Sequence, residues 1–130
     1  MKQEYKILLW GLIAICLCDI LGAIASRQFN FNAAILAPVS FIIYIAFGFA
    51  GTQRKRLTTG LLISAGIGLF DSTIGWKISM LLKANTGNLK NNPTIPVWIS
   101  TAIFVTILAS LCGLFGGGLA MLVKKYSKAT

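Results

Sequence analysis

The sequence predicts an all-α, polytopic integral membrane protein in which four transmembrane helices form a bundle. This prediction rests on the amino-acid composition and on the length of the apolar segments. Hydrophobic residues make up 56% of the 130 residues, charged residues only 12%, and the mean hydropathy is +0.79. An average soluble domain is about 45–50% apolar and about 25% charged, so a water-soluble domain of this length could not bury its apolar surface. The composition excludes a soluble enzyme domain, a disordered tail and a collagen-like chain.

Four apolar runs account for the predicted helices, because a bilayer core about 30 Å thick needs about 20 apolar residues in a helix. Helices satisfy their own backbone hydrogen bonds in lipid, and no alternating strand pattern indicates a barrel. We therefore expect one transmembrane domain over residues 1–130. Its spans cover about 7–26, 33–51, 58–82 and 97–123, with a basic inner loop at 52–57 and an outer loop at 83–96.

The first run has an alternative interpretation as a cleaved signal peptide. It ends in Ala23-Ile24-Ala25 before Ser26, which resembles a signal-peptidase site. However, Asp19 lies inside the run, and the run is long for a signal peptide. We therefore expect the first run to remain as a membrane span.

The distribution of positive charge predicts the orientation. Eight of the 12 basic residues fall before the first span, between the second and third spans or after the fourth, and four fall on the other side. This bias places both termini in the cytoplasm of a multi-pass protein of the cell (inner) membrane. Sidedness and anionic headgroups also explain the net charge of +9. We expect no nucleic-acid partner, because no basic and aromatic surface exists outside the spans.

Small residues follow one face of the second, third and fourth spans at steps of three and four. In the third span this seam includes Gly68 and Gly75, and in the fourth span Gly113 and Gly117. Small residues let membrane helices approach closely. We favour packing within the chain; the alternatives are a flexible glycine-rich hinge at residues 113–118 or a close-packed face for a homo-oligomer or a membrane-protein partner. The run Gly116–Gly118 weakens its helix, so a kink is expected there.

Two carboxylates lie inside apolar runs at similar depth, Asp19 in the first span and Asp71 in the third. An ionised aspartate near the bilayer centre costs about 2.5 kcal/mol or more, so each must be paired, hydrated, ion-bound or protonated. If the two meet, repulsion requires that they share a proton or a cation. They are our ion or proton site candidates, with Tyr44, Ser64 and Ser72 as hydrogen-bond donors; the alternative is a set of structural polar contacts.

The surroundings of the two acids repeat. The pattern Ile-x-Leu-x-Asp at residues 15–19 recurs at residues 67–71, an interval of 52 residues. The repeat suggests two tandem helix pairs, an arrangement that transporters use.

No feature of the sequence indicates catalysis. The chain has no histidine, and Cys16 and Cys18 are too close for a C-x-x-C motif. No nucleophile–base pair, phosphate-binding loop or metal-ligand cluster occurs. We expect no catalytic residues, no metal and no cofactor, and therefore no enzyme.

In length, number of helices and the segment Cys18-Asp19-Ile20-Leu21-Gly22, the chain resembles the small multidrug-resistance exporters. Those proteins carry glutamate where this chain has Asp19. The second acid at Asp71 and the basic link at 52–57 depart from their pattern. The resemblance is one of size and does not assign a family.

Three functions fit these observations. The first is a proton- or cation-coupled transporter or channel subunit that uses the intramembrane acids. The second is a non-transporting partner, such as a subunit, an assembly factor or an immunity-type protein, that acts through helix packing. The third is a lipid-handling protein that uses the glycine-rich inner end of the fourth span with Lys124 and Lys125.

Overall fold

The computed structural model describes residues 2–87 and 94–130, and every regular element within these ranges is helical. A 3-10 turn at Ala33–Leu36 precedes the second long helix. A π-helical turn at Asp71–Gly75 connects the helices that come before and after it, so the helical backbone continues through it without a break. The α-helices are α1 (Gln3–Gln28), α2 (Ala37–Arg54), α3 (Leu57–Phe70), α4 (Trp76–Leu81) and α5 (Ile95–Ala129).

Four helical segments are long and apolar enough to cross a membrane, which confirms the predicted all-helical chain with four such helices and indicates a membrane location. The first to fourth spans are Gln3–Gln28, Ala33–Arg54, Leu57–Leu81 and Ile95–Ala129. The fourth has 35 residues, or about 52 Å at 1.5 Å per residue. It therefore exceeds an apolar bilayer core of about 30 Å, and it extends six residues past the predicted boundary into the lysine-bearing C-terminal turns.

Local sequence signals account for several helix ends. Helix α1 ends two residues before Asn30, whose φ of 53° lies in the left-handed region that asparagine tolerates. The Asn32 side chain then accepts a hydrogen bond from the Ala34 amide at 2.9 Å and caps the 3-10 turn. Pro38 and Pro96 lie in the first turns of α2 and α5, where a missing N–H costs nothing.

The outer loop predicted at 83–96 is only partly described. Residues 83–87 and 94–96 belong to the described ranges. Lys90, one of the four basic residues counted on the outer side, and the pair Asn92-Pro93, which is typical of a turn, lie outside the described residues.

Glycines bring α2, α3 and α5 close together. A β-carbon added to Gly48 of α2 would lie 2.6 Å from the Cα atom of Gly113 in α5. One added to Gly116 would lie 3.0 Å from the amide nitrogen of Phe49 in α2. Membrane helices gain packing contacts through such approaches. The run Gly116–Gly118, where a kink was expected, lies within α5, which continues through it without a break.

Helix α1 packs against α2 and the third span. The central contact involves Ile15 of α1, Ile67 of α3 and the ring of Tyr44 in α2, all three of them fully or almost fully buried. Helix α1 does not contact α5 within the described ranges. The polar groups on these faces therefore lie where α1, α2 and the third span meet.

Polar contacts distinguish two ends of the molecule. At the end where α1 begins, which we call the basic end, Lys55 forms an ion pair with Glu4 at 2.7 Å. At the same end Lys124 donates to the Thr52 carbonyl at 2.8 Å and so satisfies the C-terminal turn of α2. The opposite end, where α1 ends, carries Asn30, Asn32 and Asn85, and we call it the asparagine end.

Candidate functional site

The two intramembrane acids lie together in the structure. Asp19 is on α1 and Asp71 is the first residue of the π-helical turn, and their carboxyl groups are close enough to interact electrostatically. Both groups lie against Gly75, four residues after Asp71. A β-carbon at Gly75 would overlap Oδ2 of Asp19 and would lie 3.1 Å from Oδ1 of Asp71. The absence of a side chain at Gly75 therefore gives the acid pair its space.

Tyr44 holds one member of the pair from α2. Its hydroxyl donates a hydrogen bond to Oδ2 of Asp71, and its ring is only 1% exposed. The hydroxyl of Ser64 donates to the Tyr44 carbonyl at 2.8 Å, which ties α3 to α2 behind the ring. Ser64 thus supports the tyrosine and does not contact the carboxylates through this bond.

Ser72, which was expected to donate a hydrogen bond to the acids, bonds to its own helix in the structure. Its hydroxyl donates to the Gly68 and Leu69 carbonyls of its own helix at 2.9 and 3.2 Å. These hydrogen bonds do not involve Asp19 or Asp71. A serine inside a helix can donate its hydroxyl hydrogen to a carbonyl of the preceding turn. The residues that the structure brings together around the pair are Asp19, Asp71, Tyr44 and Gly75.

The π-helical turn is supported by a residue that sequence reasoning did not place there. The Trp76 amide donates to the carbonyls of Asp71 and Thr73 and omits Ser72, which an α-helix would use. The indole Nε1 of Trp98 on α5 donates to the free Ser72 carbonyl at 3.1 Å. A buried carbonyl needs such a partner, so Trp98 stabilises the turn that carries Asp71.

One oxygen of the acid pair lacks a donor. Oδ2 of Asp19 is buried and has no hydrogen-bond donor among the described residues. The ion pair that the described ranges contain is the distant Glu4–Lys55 pair, and the side chain of Lys77, a basic residue in the third span, is exposed. A buried carboxylate oxygen without a donor is costly. A proton shared between the two carboxyl groups, or a bound cation, would relieve this cost.

A cavity of about 140 Å³ lies beside Asp19, between the last turns of α1 and the beginning of the second span. Its polar wall includes the side chains of Ser40 and Cys18. The sequence analysis assigned Cys18 no role in this site. The contact between α1 and α2 places it next to the acid, and helical periodicity alone does not specify that contact.

The other seam glycines lie at helix crossings away from the acids. A β-carbon at Gly68 would overlap Ala109, one at Gly113 would lie 2.6 Å from the Ser64 β-carbon, and one at Gly117 would lie 2.7 Å from the Thr52 hydroxyl. These three glycines therefore contribute to packing between the third or second span and α5. Gly75 alone among the four borders the acid pair.

Comparisons of the chain with protein-family models, with curated proteins and with solved structures found no match.

Proposed function

We propose that the protein is a small transporter or channel subunit in which Asp19 and Asp71 form a site for a proton or another monovalent cation. The observation that carries the proposal is the buried Oδ2 of Asp19, which lies beside Asp71 and has no donor in the described ranges. In this account the protein spans the cell membrane four times, with both termini in the cytoplasm.

Charge balance supports a site for one positive charge. Two ionised carboxylates in contact repel each other strongly away from water, and no basic side chain of the described residues pairs with them. One proton or one monovalent cation leaves the pair with a single negative charge. The Tyr44 hydroxyl then stabilises that charge on Asp71 through its hydrogen bond.

The two acids have different roles in this proposal. Asp71 is held by Tyr44 and lies in a turn that Trp98 supports. Asp19 lacks such a donor and lines the cavity beside α1. We therefore assign the exchangeable ion to Asp19, with Asp71 as its fixed counterpart.

Transport requires a path on both sides of this pair, and a protomer of four helices has little room to enclose one. We propose that the functional unit is a homo-oligomer or includes another membrane protein. The exposed apolar face of α5, which includes Ile103, Phe104 and Ile107, is available for lipid or for such a partner.

The proposal is tested by ion flux in proteoliposomes that contain a pH-sensitive dye. We compare the wild type with Asp19→Asn, Asp71→Asn and the double variant, under proton, Na⁺ and K⁺ gradients. Either single substitution leaves one carboxylate, which has no second carboxylate with which to share a proton or cation, so we expect flux to fall by about tenfold or more, equivalent to about 1.4 kcal/mol.

The matched control is Glu4→Gln, which removes the remaining carboxylate of the three in the sequence at the exposed basic end. Its flux should stay within about twofold of the wild type, because an exposed ion pair contributes little. Absence of wild-type flux under every gradient, or wild-type flux in folded Asp19→Asn protein, would contradict the proposal.

A second candidate function is lipid handling, which one observation favours. An apolar groove of about 640 Å³ runs between α2 and the C-terminal part of α5, beside the glycine-rich segment. It is lined by Phe49, Leu119, Leu122, Val123, Tyr126, Ser127 and Thr130. Such a groove could hold an acyl chain at the basic end of the molecule. Absence of flux from well-folded protein would favour this candidate.

A further inference from the structure

The cavity beside Asp19 is lined by residues of α1 and of the second span that lie between the acid and the asparagine end of the molecule. We propose that this cavity is the access site through which a small monovalent cation reaches Asp19 from the asparagine end. Hydronium, ammonium and alkali ions share the required chemistry. The inference rests on the proposed function of the acid pair, and it adds the substrate class and the side of loading.

The position of the cavity follows from the way the first two spans meet. One wall consists of Cys18, Asp19, Gly22 and Ala23 in α1, and the other consists of five residues between Ala33 and Ser40. Most of these side chains are small, which leaves space between the helices. A β-carbon at Gly22 would lie 2.8 Å from Leu36, so α1 and the 3-10 turn approach closely there.

Its size limits the ligand. A volume of about 140 Å³ corresponds to between four and five water molecules, at about 30 Å³ each. A partly hydrated monovalent ion fits this space. Sites for drug-sized molecules occupy about 300–1,000 Å³, so the cavity excludes large organic cations.

The wall chemistry selects positive charge. Asp19 and Cys18 are the ionisable residues that line the cavity, and Ser40 supplies a hydroxyl oxygen. No lysine or arginine is among the residues that form it. A carboxylate, a hydroxyl and water are oxygen ligands suited to a small hard cation, and no group in the wall would attract an anion.

Hydrogen bonds at the asparagine end hold the cavity walls in place. The Asn85 carbonyl accepts from the Ala33 amide at 2.7 Å, and the Asn85 amide donates to the buried Ser26 hydroxyl at 3.1 Å. The Asn85 side chain also donates to Asn30 at 3.2 Å. The segment after α4 is thus fixed across the end of α1 and the first residue of the 3-10 turn.

The test uses the cysteine that the chain already places in the cavity. In a variant that keeps only Cys18 (Cys16→Ala and Cys112→Ala), intact cells and inverted vesicles are treated with a small, membrane-impermeant cationic methanethiosulfonate, and labelling is measured by mass spectrometry. Reference thiols at Asn30→Cys and Arg54→Cys, each in a background without the native cysteines, mark the two ends of the molecule.

We expect Cys18 to be labelled from the same side as position 30, about tenfold faster than Cys16 or Cys112 in the corresponding single-cysteine variants. Those two thiols do not line the cavity, so they are matched controls. A thiol introduced as Ala37→Cys, on the opposite wall, should be labelled from the same side and provides a second probe should Cys18 prove unreactive.

Labelling in the presence of different cations identifies the ligand. At one fixed pH, labelling of Cys18 is measured with Na⁺, K⁺ or NH₄⁺ against a large organic cation of equal concentration. A fixed pH is needed because the reactivity of the Cys18 thiol depends on pH, and because the protonation of Asp19 and of its neighbours Asp71 and Tyr44 can also change with pH. An ion that slows labelling in the wild type but not in Asp19→Asn is the ligand, and an absence of protection by all three ions would contradict binding of Na⁺, K⁺ or NH₄⁺ at Asp19.

Two outcomes would overturn the inference: Cys18 and position 37 both unlabelled, or both labelled from the side of position 54. Labelling does not depend on flux. A protein that labels as expected but carries no ion under any gradient would therefore contradict the proposed transport function and leave the accessible cavity established.

Discussion

At the scale of single residues, the approach of Asp19 to Asp71 depends on a residue without a side chain. Gly75 lies against both carboxyl groups, and any β-carbon there would occupy the position of Asp19 Oδ2. Because the obstructing atom is the end of a side chain, Asp19 can rotate away at modest cost. Substitution of Gly75 should therefore separate the acids without unfolding the protein.

We expect Gly75→Ala to lower ion flux by about tenfold or more while changing the free energy of unfolding by less than about 2 kcal/mol. Gly66→Ala is the matched control in the same span, because its β-carbon would find its nearest neighbour, Leu8, at an ordinary contact distance of 3.4 Å. The two variants are compared by flux and by unfolding in detergent. Equal flux in both would show that Gly75 does not position the acids.

The sequence predicted which residues carry the chemistry, but it did not predict the residues that they contact. Intramembrane position alone singled out Asp19 and Asp71, since ionised groups are costly there. The roles of Cys18 and Trp98 could not be derived, because they depend on which faces of α1, α2 and α5 meet. Periodicity places residues on a helix face but does not specify the neighbouring helix.

At the scale of elements, the third span departs from the uniform helix that its apolar run predicted. The π-helical turn starts at Asp71 and releases the Ser72 carbonyl, which Trp98 of α5 binds. Single π-turns inside α-helices occur frequently at functional sites. Residues 71–75 contain no proline, so the sequence gave no helix-breaking signal that would have indicated this turn.

Helix α5 shows how adjacent glycines differ in their role. A β-carbon at Gly116 would overlap the Ile45 carbonyl of α2 and would lie 3.0 Å from the Phe49 amide nitrogen, whereas one at Gly118 would meet nothing within 4 Å. Backbone atoms cannot rotate away as a side chain does. Gly116 therefore sets the distance between α2 and α5, and Gly118 does not.

We expect Gly116→Ala to lower the free energy of unfolding by about 1–3 kcal/mol because it forces α2 and α5 apart. Gly118→Ala should leave stability unchanged or raise it by up to about 1 kcal/mol, because alanine favours a helix. Reversible unfolding in mixed detergent, followed by circular dichroism, measures both. Comparable losses in the two variants would contradict the observed crossing.

At the scale of the whole molecule, the acids meet because the first and third spans pack against each other and against α2. The four apolar helices followed directly from composition and run length. The similar depth of the two acids within their spans remains a prediction, which rests on their similar distance in residues from the predicted basic side. Helix order around the core was not derivable, because four similar apolar helices can pack in several orders. The two tandem helix pairs and the orientation of the termini remain predictions.

The central claim is that Asp19 and Asp71 lie side by side between the first and third spans. It is tested most directly by introducing Asp19→Cys and Asp71→Cys into a chain without its three native cysteines, then adding a short bifunctional thiol reagent to the protein in membranes. Leu21→Cys with Asp71→Cys is the control, because Leu21 lies two residues along α1 and is 64% exposed. We predict an intramolecular bridge between positions 19 and 71, seen by mass spectrometry, and none between positions 21 and 71. Single-site labelling at positions 19 and 71 without a bridge would contradict the claim.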